Sequence, residues 1–268
     1  MARVETISSA ANPLIKDVRK AIARGALTEQ GWCVAETFHL LEEALRSDCE
    51  VKMVIAAESV RSAAESHVRS LHGVKVAVLP DNLFQAISGT ATAQGVMALV
   101  EPPEWKLEQL FRGKALVVVL DGIQDPGNAG TMARAAEAFG ATGMMFLKGS
   151  VSPWNPKVVR ASAGSLFRVP FLYGLDADLA RAALQQNKIA LFAGVPAASG
   201  GPATRLDAAD FCGRTGLIIG SEAHGVSVKL RAAAIDVTIP TVGVESLNAA
   251  VAAGILLYEA RRQRMRQS

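Results

Sequence analysis

Gly220-Ser-Glu-Ala-His-Gly-Val-Ser227 and Ile239-Pro-Thr-Val-Gly-Val-Glu-Ser-Leu-Asn248, the second running into an Ala-rich stretch, are the segments on which the reading of this chain turns. Each follows a segment expected to be a strand, 215–220 and 235–239. Each brings small residues and side-chain oxygens where a plain core places hydrocarbon. Working back from them, Ala115-Leu-Val-Val-Val-Leu120 is a continuous apolar run of the kind found in strands buried on both faces. Its loop, 121–130, feeds a helix over 131–139. Further strands are expected at 143–147 and 189–194. Strand and helix patterns that alternate in this way predict a mainly parallel sheet covered by helices. Ligands of such sheets bind beyond the carboxyl ends of the strands, where loops after Leu120, Ile219 and Ile239 would form one site.

The N-terminal part has its own rhythm. A basic amphipathic helix starts at Asn12-Pro13 and runs to Arg24, followed by a strand at 32–36 and a helix to Arg46. Strands at 51–56, 74–79 and 94–100 alternate with helices at 58–71 and from Asp81, which makes a second, smaller α/β unit. Glu101-Pro-Pro-Glu-Trp-Lys106 breaks the pattern, since two prolines continue neither a helix nor an inner strand. The expected organisation is therefore a domain at 1–100, a linker at 101–113 and a domain at 114–268.

Composition narrows the class. With 268 residues, half of them hydrophobic, the chain is long enough for two cores and too apolar to be disordered. No apolar run reaches the roughly 18 residues of a membrane span, and the first residues are too polar for a signal peptide, so a cytoplasmic protein is expected. Cys33, Cys49 and Cys212 lie far apart without zinc-type spacing, and no metal is expected. The net charge of +3 is modest, but Arg3, Lys16, Arg19, Lys20 and Arg24 cluster near the start, and Arg261, Arg262, Arg264 and Arg266 near the end. Such clusters either meet phosphates or form solvated helix faces.

The loop Gly127-Asn-Ala-Gly130 joins a strand to a helix but lacks the G-x-G-x-x-G spacing. Leu147-Lys148 stands where a dinucleotide site would place an acid, which excludes a nicotinamide site of the usual kind. The loop offers Asn128 as a helix N-cap and Arg134 further along the helix. The arginine is either a surface residue or, facing the three loops, a fork for a phosphate or a developing oxyanion. Ser227 reads as an N-cap with Gly225 allowing the turn, which leaves Glu222 unexplained. Glu245, Ser246 and Asn248 open a helix too apolar for the surface, so their polar groups need partners.

These residues resemble the SpoU (TrmH) group of the SPOUT superfamily, the knotted RNA 2'-O-ribose methyltransferases. Three motifs carry the resemblance in order: Asn128-Ala-Gly-Thr-Met-Ala-Arg134, Gly220-Ser-Glu222-Ala-His-Gly225, and Ile239-Pro-Thr-Val-Gly-Val-Glu-Ser246-Leu247-Asn248. The N-terminal part is similar to the L30e-like RNA-binding domain of that family. The resemblance implies an α/β-knot domain with a deep trefoil knot and S-adenosylmethionine as methyl donor. It implies that Gly220, Ile239 and Leu247 line the cofactor pocket, with Ile219 and Pro240 shaping its walls. It places Arg134 at the reacting hydroxyl, with Asn128, Glu222, Ser246 and Asn248 orienting ribose and arginine. It also implies an RNA partner, more often ribosomal than transfer RNA, and a homodimer whose sites draw on both subunits. Two positions depart from the pattern: Ala223 and Thr37 stand where the family usually has glycine. The alternatives to a ribosomal RNA enzyme are a transfer-RNA 2'-O-methyltransferase and a non-catalytic RNA-binding or ribosome-assembly protein of the same fold.

Overall fold

The computed structural model describes residues 3–266 apart from 70, 72, 91 and 197–201. Up to Glu101 the chain forms β1 (Arg3–Thr6), α1 (Pro13–Arg24), β2 (Cys33–Glu36), α2 (Phe38–Leu45), β3 (Glu50–Ala57), α3 (Arg61–Val68), β4 (Lys75–Leu79), α4 (Asp81–Ile87) and β5 (Val96–Glu101). It continues through α5 (Leu107–Leu110), β6 (Leu116–Asp121), α6 (Pro126–Ala138), β7 (Gly143–Leu147), α7 (Pro156–Ala161), β8 (Phe171–Leu175) and α8 (Ala177–Gln186). The last elements are β9 (Ala190–Val195), β10 (Thr204–Arg205), β11 (Thr215–Gly220), α9 (Val228–Arg231), β12 (Ile235–Thr238) and α10 (Ala249–Met265).

Three helices start with the same device, at Asn12-Pro13, Asp125-Pro126 and Asn155-Pro156. The side-chain oxygen before each proline accepts an amide of the first turn, from Leu14 at 2.9 Å, Asn128 at 2.6 Å and Lys157 at 2.9 Å. The proline occupies a position whose N–H would have no helical partner.

Two compact units result, Met1–Glu104 with Trp154–Arg168, and Trp105–Pro153 with Val169–Ser268. The second of these groupings differs from a single domain over 114–268, because the segment 154–168 packs with the first unit. In that unit a five-stranded sheet has the order β1-β4-β3-β5-β2, with β5 antiparallel to its neighbours. Its core gathers Ile15, Val18, Ile55, Leu79, Phe84, Met97 and Leu99.

The returning segment is held by charge. Glu36, only 2% exposed, accepts hydrogen bonds from Thr90 Oγ1 at 2.9 Å, Arg160 Nη1 at 3.3 Å and the Ser88 hydroxyl. Arg168 pairs with Glu43 at 2.6 Å. Removing a buried acceptor strands the groups that pointed at it, so Glu36→Ala is expected to destabilise this unit by about 2–3 kcal/mol. That lies below the roughly 3–5 typical of fully buried pairs because Arg160 keeps partial access to water. Urea unfolding checks it, and an unchanged midpoint would refute this account of the segment. Thr37, at a family glycine position, holds φ 136 and caps α2 by accepting Leu40 N at 3.1 Å. Ala223 is not among the positive-φ residues, so its Cβ meets no backbone penalty there.

The second unit carries a seven-stranded sheet, β10-β12-β9-β11-β6-β7-β8, parallel throughout. After β8 the chain crosses to the far side of β6, and β11 then inserts between β6 and β9. The strand order reverses at that point, so the carboxyl ends of β6, β9, β11 and β12 frame the crevice of a doubly wound sheet. At the opposite edge, two arginines close the backbone. Arg264 donates to the carbonyls of Lys114, Ala115, Phe211 and Gly213 at 2.6–3.0 Å, and Arg214 to those of Phe111, Gly113 and Asn187 at 2.7–3.0 Å. The C-terminal arginine cluster is therefore partly structural: Arg264 is committed to carbonyls and Arg262 to Glu259 at 2.5 Å.

Candidate active site

Gly220 ends β11 under a tight turn. Ser221 O accepts Gly225 N at 2.8 Å, Ser221 Oγ accepts His224 N at 3.1 Å, and Gly225 turns at φ 66. The turn lies so close that a Cβ on Gly220 would sit 2.1 Å from Gly225 C and 2.2 Å from Val226 N. Asp121, at the end of β6, anchors the same loop by accepting Ser227 N at 2.7 Å.

Beside this turn lies a cavity of about 180 Å³. Its floor is the ends of β9 and β11, Gly194–Pro196 and Ile219–Glu222, and its wall is Val237, Ile239, Thr241, Glu245, Ser246 and Leu247. Leu256 of α10 closes it, leaving 3.2 Å between its Cδ1 and a Cβ built on Gly194. The lining is largely apolar side chain interrupted by exposed strand-end backbone, which suits a flat heteroaromatic ring held by backbone donors and acceptors.

At the rim, three residues, one from the first turn of α6 and two from the loops after β11 and β12, form one directed relay. Asn248 caps α10, its Oδ1 accepting Ala250 N at 2.9 Å and Val251 N at 3.3 Å. That fixes the orientation of its amide, so Nδ2 donates to Asn128 Oδ1 at 3.0 Å. Asn128 Nδ2 in turn donates to Glu222 Oε1 at 2.5 Å. The relay therefore ends on a carboxylate required to accept.

The expected site residues separate into three groups. Gly220, Ile219, Ile239, Leu247, Ser246 and Glu222 line the cavity, and Asn128 and Asn248 join it through the relay. Pro240 is exposed and outside the lining, since the chain turns outward past β12 and leaves Ile239 facing in. Arg134 is exposed, with no hydrogen-bond or ion-pair partner among the described residues, and does not line the cavity. It lies six residues beyond Asn128 on α6, about 120° around the helix and roughly 9 Å along it.

Asn128 is also not an N-cap. Asp125 takes that role and the helix starts five residues before the expected 131, which frees the Asn128 side chain for the relay. The end of β9, Gly194-Val195-Pro196, is a cavity element that the three-loop expectation omitted. Its signal was a glycine closing a predicted strand just before a proline. Among the described residues no group of His, Cys, Asp and Glu could hold a metal ion, and no helix is long and apolar enough to cross a membrane.

A parallel sheet with a ligand crevice at its switch point and an amide-carboxylate relay on the rim defines an α/β protein of the ligand-binding kind. Residues 115–258 match the model of the SpoU rRNA methylase family, and residues 12–98 match the MRM3-like substrate binding domain. The chain is 30% identical, over 96% of its length and 100% of the relative, to the 23S rRNA (guanosine(2553)-2'-O)-methyltransferase RlmP of Bacillus subtilis. The SpoU methyltransferase AviRb of Streptomyces viridochromogenes superposes with a TM-score of 0.82 at 28% identity, covering 96% of this chain and 99% of that one. The AdoMet-bound rRNA methyltransferase of Sinorhizobium meliloti does so with a TM-score of 0.81 at 27% identity, covering 97% and 98%. The chain belongs to the SpoU rRNA methylase family.

Proposed function

We infer that the protein transfers the methyl group of S-adenosylmethionine to a ribose 2'-hydroxyl of ribosomal RNA. The observation that carries the reading is the apolar, backbone-edged cavity meeting the Asn248–Asn128–Glu222 relay at its rim. The residues present fit the donor. Ile219, Ile239, Leu247 and Leu256 can sandwich an adenine, and the glycines at 194 and 220 leave the strand-end backbone open to its edge. When bound, S-adenosylmethionine supplies an electrophilic methyl on a sulfonium.

The chain's own residues must then activate a poor nucleophile. A hydroxyl attacks well only as its proton leaves and its developing negative charge is stabilised. Arginine stays protonated in proteins, so Arg134 acts as an electrostatic partner of the forming alkoxide, its planar fork aimed at the oxygen, and an RNA phosphate takes the proton. Asn128, Glu222, Ser246 and Asn248 orient the ribose.

Within one chain Arg134 stands exposed, without a partner among the described residues and outside the cavity lining. That placement supports a homodimer in which Arg134 of one copy completes the site of the other. Exposed apolar side chains on the cavity side and along α10 support the same assembly: Val242 at 100%, Val251 at 51% and Tyr258 at 56% exposure. The C-terminal segment is expected to pass through a loop of this unit as a deep trefoil knot. The enzyme acts where ribosomal RNA is made, in the cytoplasm.

The test is incubation with radiolabelled S-adenosylmethionine and deproteinised ribosomal or transfer RNA. Label in the large ribosomal RNA is the expected result. Label in transfer RNA alone would move the substrate, and no label in either would refute the reading.

A further inference from the structure

The basic helix α1 is not absorbed by the methyl-transfer site. Of its exposed cations, Lys20 pairs with Glu29 at 2.8 Å, whereas Lys16, Arg19 and Arg24 have no partner among the described residues. The helix's single acid, Asp17, is buried and spends both carboxylate oxygens on the Glu29 amide at 3.0 and 3.1 Å. Glu5 and Glu29 border a separate concavity with Asn12 and Asp17, which Lys16, Arg19 and Arg24 do not line.

The helix ends at Gly25, in the left-handed region at φ 61, and there it abuts the segment that returns to this unit late in the chain. A Cβ on Gly25 would lie 2.8 Å from Asn155 Nδ2 and 3.2 Å from Asn155 Cβ, so glycine, which also suits the left-handed φ, lets the two segments meet closely. Asn155 is the cap of α7, and its Oδ1 accepts the amide of Lys157 at 2.9 Å. Lys157 is exposed and likewise without a partner among the described residues.

We propose that the exposed face of α1 and Lys157 of α7 form one continuous phosphate-binding face that grips the RNA backbone away from the methylated nucleotide. The proposal rests on the reading of the protein as an RNA methyltransferase and assigns its substrate grip. Lys16 and Arg24 lie about 12 Å apart along the helix axis, a span of a few phosphates, and Lys157 extends the row beyond the helix end. No large apolar side chain is exposed on α1 or on residues 154–168, so the face carries separated charges without the hydrophobic anchors of a membrane or helix-docking surface. It contributes position and affinity rather than sequence choice. The stretch 154–168 lies inside the region matched by the methylase family, yet by its packing it belongs to the RNA-gripping unit.

The test compares full-length wild-type protein with the triple variant Arg19→Glu, Arg24→Glu, Lys157→Glu and with a control triple, Arg46→Glu, Arg61→Glu, Lys75→Glu, that changes the charge of the same unit equally. Filter binding of deproteinised large-subunit ribosomal RNA over a salt series is the readout, with far-UV circular dichroism and the urea-unfolding midpoint of the first unit, which carries all six substitutions, as the check that each variant is folded. The first variant is expected to bind RNA about tenfold or more weakly, and its log K against log salt slope should be shallower by about 2, from three lost phosphate contacts. The control should keep the wild-type slope. Equal losses in both triples, an unchanged slope in the first, or a change confined to binding of anionic phospholipid vesicles would overturn the proposal. Wild-type protein that binds RNA through this face but transfers no methyl group would instead count against the enzymatic reading alone.

Discussion

Gly220→Ala will weaken binding of S-adenosylmethionine by about a hundredfold or more. The added Cβ would meet Gly225 C at 2.1 Å, Val226 N at 2.2 Å and Gly225 O at 2.3 Å, all of them backbone. No side chain can rotate away, so the Ser221–Gly225 turn must open, and with it the rim that holds Glu222 against Asn128. Overpacking a core costs about 1–3 kcal/mol where side chains can yield, and more is expected where only backbone can. By calorimetry the dissociation constant should rise by about a hundredfold or more, some 2.7 kcal/mol, with methyl transfer lost in parallel. Gly213→Ala is the matched control, because a Cβ there meets nothing within 4 Å. Binding within a few-fold of wild type in the Gly220 variant would contradict the view that this glycine is demanded by the crossing of two backbone segments.

Arg134→Ala should lower kcat by about a hundredfold to a thousandfold, the usual cost of removing one preorganised group that stabilises developing negative charge. Arg134→Lys should recover little of it, since an ammonium keeps the charge and loses the planar fork. Binding of S-adenosylmethionine should be unchanged in both, because Arg134 does not line the cavity. The exposed position of this arginine adds a second outcome. Mixing Arg134→Ala with Glu222→Ala subunits after joint unfolding and refolding should restore about a quarter of wild-type activity, from mixed dimers holding one complete site of two. Recovery absent from well-mixed dimers would place Arg134 and Glu222 of a single chain in one site. Near-normal turnover of the lysine variant would remove the electrostatic role.

The parallel sheet was legible because its central strands are continuous apolar runs; β6, β7, β9 and β11 fall within a residue or so of where those runs lie. The strands that escaped notice are the ones composition hides. β1 is four residues long and half charged, β8 contains Gly174 and follows Pro170, and β10 has two residues. All three lie at sheet edges, where pairing on one side suffices and burial imposes no apolar run.

The site was legible by motif more than by physics. Spacing brought Glu222 and Asn248 to the same edge, but the relay that connects them depends on α6 starting at Pro126. That start is signalled by Asp125-Pro126, the same pair type that begins α1 at Asn12-Pro13. The return of 154–168 to the first unit had no such local signal. It depends on Glu36 and Glu43, more than a hundred residues earlier, meeting Arg160 and Arg168. Gly25 and Thr37 show the same limit. Gly25 looks ordinary in sequence, and only the packed structure shows that a Cβ there would crowd Asn155; Thr37 is marked in sequence by the glycine it replaces, but only the structure shows that it holds φ 136.

The central claim is that the methyl group goes to a ribose hydroxyl. It is tested most directly by alkaline hydrolysis of large-subunit ribosomal RNA after incubation with the protein and S-adenosylmethionine. A 2'-O-methyl group blocks cleavage at its own linkage, so the account predicts one missing rung in the ladder, absent when Arg134→Ala protein is used. Incorporated methyl with an uninterrupted ladder would place the modification on a base and contradict the account.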